Sequence, residues 1–347
     1  LPDDGGTISW QGRTVGRAEL RLSVWAPSAG TTGRAGWRAL DEAAGVVTAA
    51  DAAATASVRL DGVVRQEEIL DGTAELLVQV VPRAESAAAD ADGLADPADY
   101  DLALGHITDT QYYSEAYPEV YAGEVAWLAE NADTRKLAFV THTGDLIQNW
   151  VDPGQTEERA RREYEVASRL QGVLDANGIA NSVLPGNHDN KRGVSNDLFN
   201  EYFGPERYRD QPWFGGSLTA DDNSANWSSF AAGGARFVMI SLPYAYGERE
   251  IAWAQDVVAA HLDANIVIST HEHLTPATAT DDAERSTTSR WVSHGDLLWE
   301  RVVAPNRNVV LVLSGHFHGL GAIVTENAGG IPGHTVLEAL ADYQEFR

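Results

Sequence analysis

A change in the pattern of apolar residues near residue 101 constrains the fold of this 347-residue chain more than any other feature. From there on, short apolar runs that end in polar or Gly-rich turns alternate with longer amphipathic stretches, which is the pattern of a layered α/β domain. The predicted strands are 102–108, 137–142, 181–184, 236–242, 266–269 and 309–313. The predicted helices are 118–131, 156–177, 195–203, 249–263 and 288–303.

The first 82 residues instead show the alternation of apolar and polar side chains that is typical of strands. This alternation runs through residues 18–25, 57–60 and 75–81. It predicts a small all-β domain, a sandwich, followed by a linker of small and acidic residues at 85–93. We therefore expect an accessory domain with its linker at 1–95 and an α/β domain at 96–347.

The chain is strongly acidic, with 51 Asp and Glu residues against 25 Lys and Arg and a formal net charge of −26. Nucleic-acid-binding proteins carry basic patches, so this charge argues against a nucleic-acid polymer as partner. The sequence has no cysteine, which excludes disulfides and thiolate metal ligands. No apolar run reaches the roughly 18 residues that span a bilayer, so no membrane span is expected.

The N-terminal region raises two further expectations. The sequence begins Leu-Pro-Asp-Asp without an initiator Met, which favours a processed, exported protein that is extracellular or associated with the cell wall of a bacterium. Trp10, Trp25 and Trp37 either form the core of the small domain or present a sugar-stacking surface, and a core role is favoured. If the tryptophans instead form a sugar-stacking surface, residues 1–95 would contact cell-wall polysaccharide.

Polar groups that suit metal binding follow five of the predicted strands. These short segments are Asp109-Thr110-Gln111, Gly144-Asp145, Gly186-Asn187-His188-Asp189, Thr270-His271-Glu272-His273 and Gly315-His316-Phe317-His318. In open α/β sheets the ligand crevice lies beyond the carboxyl ends of the strands, so the five segments are expected to converge. Taken singly, each segment is better explained as an ordinary polar turn.

In order and spacing, the five segments resemble the calcineurin-like metallophosphoesterase family. Its blocks read Asp-x-His, Gly-Asp, Gly-Asn-His-Asp or Glu, a lone His, and Gly-His-x-His. The resemblance covers roughly residues 101–343 and implies a four-layer α/β/β/α sandwich. Within it, residues 321–324 and 334–338 are candidates for further strands after the last block.

The resemblance also implies a site for two divalent metal ions. One ion would be held by Asp109, Gln111, Asp145 and His318, and the second by Asp145, Asn187, His271 and His316, with Asp145 bridging. Mixed oxygen and nitrogen ligands suit Mn, Fe or Zn better than Ca.

The chain departs from the family pattern at two positions. Gln111 stands where most members carry His, and its amide oxygen is a weaker donor than an imidazole nitrogen. We interpret it as the trait of an Asp-x-Gln subfamily. Gln148 stands where purple acid phosphatases carry a ligating Tyr, so no tyrosinate ligand is expected.

The activity that the resemblance implies is hydrolysis of a small phosphate ester, either a phosphomonoester or a phosphodiester. Two cations about 3.5–4 Å apart activate a water and offset charge in an in-line displacement. A hydroxide bridging the metals would be the nucleophile. His188 would assist the leaving oxygen, and Asp189 would orient the His188 imidazole by a hydrogen bond.

Roles for the neighbouring residues stay open at this stage. His106 and His142 are interpreted as packing residues, with a hydrogen bond near the ligands as the alternative, and His273 as a pocket-lining residue beside the ligand His271. Lys191 and Arg192 are candidates for a phosphate clamp or for solvated loop charges. Tyr112 and Tyr113 wall the pocket or pack under a helix. Loops 205–233 and 274–290 are expected to set substrate selectivity.

A different class of function is a scaffold that keeps the fold and has lost catalysis. Loss of catalysis erases ligands first, and this chain retains Asp109, Asp145, Asn187, His188, His271, His316 and His318. The enzymatic interpretation is therefore preferred.

Overall fold

The computed structural model divides into two compact units, Leu1–Tyr100 with Ala122–Glu130, and Asp101–Tyr121 with Asn131–Arg347. It describes the backbone of residues 6–15, 18–26, 36–39, 45–47, 55–64 and 78–83, and the backbone and side chains of residues 94–150, 154–191, 195–278, 280–287 and 294–344. The predicted linker at 85–93 and Arg192 lie outside these residues. The domain boundary near residue 95 stays a prediction.

The described residues of the first unit contain six strands. These are β1 (Gly6–Val15), β2 (Ala18–Ala26), β3 (Gly36–Ala39), β4 (Gly45–Val47), β5 (Thr55–Val64) and β6 (Val78–Arg83). β1 pairs with β5, and β2 pairs with β3, β4 and β6, all antiparallel. The strand predictions at 18–25 and 57–60 are confirmed, whereas the sandwich and the roles of the tryptophans stay predictions.

Three parallel strands follow, with helices between them, of which residues 122–130 belong to the first unit. After a 3-10 turn at Pro97–Asp99 come β7 (Ala103–Ile107), α1 (Gln111–Ala116), α2 (Pro118–Asn131), β8 (Leu137–His142), α3 (Glu157–Ala176) and β9 (Asn181–Val183). β7, β8 and β9 form a sheet in that order. The sequence predicted all three strands and both longer helices to within one or two residues.

The remainder of the unit builds a seven-stranded sheet. Its elements are α4 (Asp197–Phe203), α5 (Pro205–Tyr208), β10 (Phe214–Thr219), β11 (Asp222–Ala232), β12 (Ala235–Leu242), α6 (Glu248–Ala260), β13 (Asn265–Thr270), β14 (Leu274–Thr275), β15 (Glu284–Arg285), α7 (Gly295–Leu298) with a π turn at Trp299–Val303, β16 (Val309–Ser314), β17 (Gly319–Thr325), a 3-10 turn at Ala328–Gly330 and β18 (Val336–Asp342). The strand order is β10-β11-β12-β13-β16-β18-β17, with parallel pairing from β12 to β18 and antiparallel edges.

Two expectations are corrected here. The region 205–233 was expected to be a mobile loop, but it holds α5 and the antiparallel pair β10 and β11. Buried Asn223, Asn226 and Ser228 make this region look loop-like in sequence, although their polar side chains lie inside the fold. The helix expected over 288–303 is described only from Gly295 onward, as a short helix that widens into a π turn.

Alternating side chains of the central strands supply two separate cores. Along β12, Val238, Ile240 and Leu242 point to one core, which contains the apolar face of α6. Phe237 and Met239 point to the other, which contains Phe139 of the three-stranded sheet. The two sheets therefore face each other across the second core, and α6 covers the outer face of the larger sheet.

Helix α3 packs against the three-stranded sheet. Asn181 of β9 donates a hydrogen bond to Asp175 at the end of α3 (2.8 Å), and Tyr164 in its middle donates to the carbonyl of Asp189 (2.9 Å). Thr156 caps its first turn by accepting from the Arg159 amide (3.3 Å). The second unit is thus a mixed α/β fold. Among the described residues, no helix has the length and apolar character needed to cross a bilayer.

Candidate metal centre

The five polar segments all follow strand ends, as predicted. Asp109 follows β7, Asp145 follows β8, Asn187 follows β9, His271 follows β13 and His316 follows β16. Hydrogen bonds join neighbouring strand ends within each of the two sheets. The Asp109 amide donates to the Gly144 carbonyl (3.1 Å), and the Gly315 amide donates to the His271 carbonyl (2.9 Å).

Strained backbone marks the same positions. Asp109 (φ 51°), Asp145 (φ 56°) and His316 (φ 74°) adopt left-handed conformations, which residues other than glycine rarely do. Such strain persists where the surroundings enforce it, commonly at functional sites. The motif glycines allow the close approach, because a Cβ on Gly186 would overlap the Asp145 carboxylate and one on Gly315 would overlap Thr108 and Asp109.

Four side chains converge around one buried imidazole nitrogen. The Nε2 of His271 lies 3.0 Å from Oδ1 of Asn187, 3.1 Å from Nδ1 of His316 and 3.4 Å from Oδ1 of Asp145. His271 itself is fully buried. Asp145, His271 and His316 form a group whose spacing suits a metal ion. We call these three residues and Asn187 the imidazole-rich half of the centre.

The hydrogen bonds of His271 show which of its ring nitrogens can bind a metal ion. Its Nδ1 donates to the Thr143 carbonyl (2.8 Å), so Nε2 is the nitrogen left to bind a metal. Oxygen acceptors of Asn187 and Asp145 face that same nitrogen. Lone pairs that converge in this way need a proton or a cation among them, so the donor set fits a divalent ion.

The remaining predicted ligands are Asp109, Gln111 and His318, which would share Asp145 with the first half. We call these residues the amide and carboxylate half. The buried Asp109 carboxylate accepts from the His316 amide, at 3.1 and 3.2 Å. The terminal amide of Gln111 lies 3.4 Å from Oδ2 of Asp145. His318 is the most open member, with half of its side chain exposed.

The Gln111 amide has one orientation that satisfies both of its polar atoms. Its nitrogen then donates to the carbonyls of Asp109 (3.0 Å) and Asp145 (3.2 Å), and its oxygen accepts from the Gln344 amide (2.8 Å). This orientation turns the Gln111 oxygen toward Oδ2 of Asp145. Two acceptors thus face one another, as ligands of a shared cation do.

The charges of the centre are strongly coupled. Burial raises the pKa of Asp109 well above its usual range, although His271 opposes this. Burial also disfavours charge on Asp145, but His271 and His188 outweigh it and hold the Asp145 pKa below its usual range. Burial disfavours the His271 imidazolium, yet Asp145 and Asp109 raise the pKa of His271 to about 10. The metal-free centre therefore holds protons that a metal must displace.

The two predicted catalytic residues lie beside the imidazole-rich half, with one correction to their contacts. The His188 amide donates to Oδ1 of Asp145 (2.9 Å), and the His188 ring donates from Nδ1 to the Gln148 carbonyl (3.0 Å). The Asp189 carboxylate was expected to orient that ring. It instead accepts from the amides of Leu146 (2.9 Å) and Gly186 (2.7 Å), because the two loops bring their backbone amides to it.

Hydrogen bonds near the ligands also involve His106 and His142. The Gly144 amide donates to Nδ1 of His142 (3.1 Å), which leaves Nε2 of His142 to donate to the Thr110 hydroxyl (3.0 Å). His106 hydrogen-bonds the Thr143 hydroxyl (3.1 Å). Both imidazoles therefore support the loops that carry Asp109 and Asp145, and the preference for simple packing was wrong.

The pocket-lining role expected for His273 is corrected. Its Nε2 pairs with the buried Glu338 (2.7 Å), which also binds Arg285 through both carboxylate oxygens (2.7 and 2.6 Å). Arg285 lies 3.5 Å from the centre of the Trp299 ring. This buried cluster anchors the segment after His271 to β18.

Three contributors were missed by sequence reasoning. The ring of buried Tyr244 packs against both His271 and His316, with centroids 5.6 and 5.4 Å apart. Asp342 and Gln344 lie beside His318 and Gln111. None of the three belongs to a motif segment, and only their position after strands β12 and β18 signals them.

A polar cavity of about 780 Å³ opens beside Tyr244. Asn190, Asn196, Thr219, Asp222 and Ser224 are among its lining residues. Lys191, a candidate phosphate clamp, lies with its amine 4.8 Å from the centre of the Trp150 ring. The roles proposed for Lys191, Tyr112 and Tyr113 stay predictions.

A mixed α/β fold whose strand ends gather Asp, Asn and His around one buried nitrogen has the features of a metal-dependent hydrolase. The chain belongs to the calcineurin-like phosphoesterase family, whose sequence signature matches residues 102–320. Membership indicates metal-dependent hydrolysis of phosphoesters. The chain is also similar to the uncharacterized protein YvnB of Bacillus subtilis (strain 168), at 32% identity over 242 residues. The match covers 69% of this chain, and the chain spans only 17% of that relative's length.

Proposed function

We propose that this chain hydrolyses a small phosphate ester with two divalent ions. Asp145, Asn187, His271 and His316 hold one ion, and Asp109, Gln111, Asp145 and His318 hold the other. Mn, Fe and Zn fit this mixture of oxygen and nitrogen ligands, in the absence of sulfur. Two such ions supply Lewis acidity, which activates water and offsets the charge on the phosphoryl oxygens.

The position of Asp145 is the observation that supports the proposal best. Its Oδ1 faces His271 and its Oδ2 faces Gln111, each at 3.4 Å. One carboxylate thus offers one oxygen to each half. The strained backbone at Asp145 and the hydrogen bond from the His188 amide to its Oδ1 hold it in this orientation.

His188 is proposed to act on the leaving oxygen. Because a carbonyl only accepts hydrogen bonds, Gln148 fixes a proton on Nδ1 and leaves Nε2 as the nitrogen that exchanges one. The ring is partly exposed, so a substrate reaches it. The protonated ring donates to the departing alkoxide from Nε2.

Asp189 is proposed as a positioning residue. Its carboxylate joins the turn after β8 to the turn after β9, through the Leu146, Ile147 and Gly186 amides. These two turns carry Asp145, Asn187 and His188. Burial raises the pKa of Asp189 to about 7, and the neighbouring Asp145 carboxylate adds to the shift.

The polar cavity beside Tyr244 is the proposed place for the alcohol part of the substrate. Its amide and hydroxyl groups suit a leaving group that carries hydroxyls. The net charge of −26 disfavours long polyanions. We also propose an extracellular or cell-wall location and a contact of residues 1–95 with polysaccharide.

The test is turnover of bis-p-nitrophenyl phosphate and p-nitrophenyl phosphate by chelator-stripped protein, with Mn, Zn, Fe or no metal restored. Metal-dependent turnover that is lost in Asp145→Asn supports the proposal and ranks diester against monoester. Asp263→Asn, an exposed carboxylate paired with Arg236, is the matched control and keeps its activity. Two bound ions without turnover of either ester would instead support the scaffold.

A further inference from the structure

The C-terminal end of β18 lies against the Gly-His-x-His turn. β18 runs parallel to β16, with Leu340 opposite Ser314, and antiparallel to β17, with Asp342 opposite Gly319. This register carries the chain after Leu340 along the turn at 315–318. Asp342 and Gln344 therefore reach the metal centre from a strand that carries none of the predicted ligands.

The Asp342 carboxylate is buried, with 1% of the residue exposed. Its Oδ1 accepts a hydrogen bond from the backbone amide of Gln344 (3.4 Å). Its Oδ2 is shielded from solvent and receives no hydrogen bond within the part of the chain that the structure describes. Nε2 of His318 lies 3.6 Å from this Oδ2. A buried carboxylate oxygen without a donor is costly unless a cation compensates it.

Gln344 forms a reciprocal amide pair with Gln111. The side-chain nitrogen of Gln344 donates to the side-chain oxygen of Gln111 (2.8 Å). The side-chain oxygen of Gln344 accepts from the side-chain nitrogen of Gln111 (3.1 Å). The pair fixes which atom of Gln111 faces Asp145. A carbonyl oxygen has a second lone pair, so Gln111 remains able to bind a cation while paired.

Two separations in this part of the centre are close to the spacing of ligands around one ion. Two ligands about 2.1 Å from a shared ion lie roughly 3.0–3.5 Å apart at octahedral or tetrahedral angles. The Gln111 to Asp145 separation is 3.4 Å, and the His318 to Asp342 separation is 3.6 Å.

We propose that Asp342 is a further ligand of the ion held by Asp109, Gln111, Asp145 and His318, and that Gln344 orients Gln111 toward it. The inference rests on the proposed function. Gln111 brings no charge and is a weaker donor than imidazole. The third carboxylate, from Asp342, offsets that weakness by raising the negative charge around the ion.

Anomalous diffraction from crystals of the full chain soaked in Mn²⁺ tests this directly. The expected result is two peaks, with an Asp342 oxygen about 2.1–2.5 Å from the peak beside His318. Two peaks with the Asp342 carboxylate more than 3 Å from both would overturn the inference and leave the proposed function intact. Absence of either peak would overturn both.

Calorimetric titration of chelator-stripped protein with Mn²⁺ alone is the second test. Asp342→Asn is expected to lower the affinity for one of the two ions at least tenfold and to leave the affinity for the other unchanged. Asp263→Asn is expected to bind both ions like the wild type. Gln344→Ala is expected to lower the affinity for the same ion by a smaller factor. Wild-type binding by Asp342→Asn, or equal weakening of both ions, would contradict the assignment. If Asp342→Asn does not fold, the diffraction result on the wild-type chain decides.

Discussion

The two halves of the metal centre are built on different principles. In the imidazole-rich half, His271 is fully buried and three further ligand atoms lie within 3.4 Å of its Nε2. In the amide and carboxylate half, a neutral Gln111 replaces imidazole and His318 is half exposed. The first half therefore offers two imidazoles, whereas the second offers one half-exposed imidazole and a neutral amide. We therefore expect the two ions to differ in affinity, the ion bound by His271 being the tighter.

The largest effect is expected from removing the group that the halves share. Asp145→Asn leaves the volume unchanged but removes a charge from both halves, so kcat/KM for bis-p-nitrophenyl phosphate should fall by about 10³-fold or more. Steady-state kinetics with saturating Mn²⁺ measure it, with Asp263→Asn alongside. Activity within tenfold of wild type would show that Asp145 does not join the two halves.

His188→Ala comes next, with an expected loss of about 10²–10⁴-fold in kcat. Because His188 is proposed to act on the leaving oxygen, the loss should be larger for an alkyl ester than for a p-nitrophenyl ester, whose leaving group needs no proton. Metal content by elemental analysis should stay at the wild-type value. Equal losses for both esters would argue against proton donation by this ring.

The comparison of the halves is sharpened by pH. His271 carries a proton below its pKa of about 10, so at neutral pH that proton must leave before Nε2 binds a metal. Apparent affinity for the tighter ion should therefore rise with pH, about tenfold per unit between pH 6 and 8. Calorimetry in buffers of different ionisation enthalpy counts the protons. Affinity for the tighter ion that does not change over this range would contradict the assignment of Nε2.

The smallest effect is expected at the supporting hydrogen bonds. Thr110→Val removes the hydroxyl that His142 binds and keeps the shape, which should cost about 1 kcal/mol of unfolding free energy. Activity should fall less than tenfold. Denaturant unfolding of the metal-free protein measures the first and steady-state kinetics the second. An unchanged unfolding free energy would show that the His142 hydrogen bond contributes nothing to stability.

Local pattern predicted most of the second unit. Runs such as 137–142 and 309–313 are apolar and bounded by turn residues, so both their existence and their limits were readable. β11 was not, because its buried Asn and Ser side chains interrupt the apolar pattern. The strands at 274–275 and 284–285 are only two residues long, too short to show an alternating pattern.

The predicted ligands could be found from the sequence more easily than the residues that hold them in place. Asp145, Asn187 and His316 lie in short motifs with glycines that the close packing requires, and the motif itself signals them. The partners of Asp189 are backbone amides, which no side-chain pattern reveals. Asp342 reaches His318 only through the pairing of β18 with β16 and β17. Register of this kind becomes visible only in three dimensions.

The most direct test of the shared centre is to follow turnover of bis-p-nitrophenyl phosphate while chelator-stripped protein is titrated with Mn²⁺ and bound metal is counted. The account predicts little activity with one ion per chain and full activity with two. Full activity at one ion per chain would contradict a two-ion mechanism.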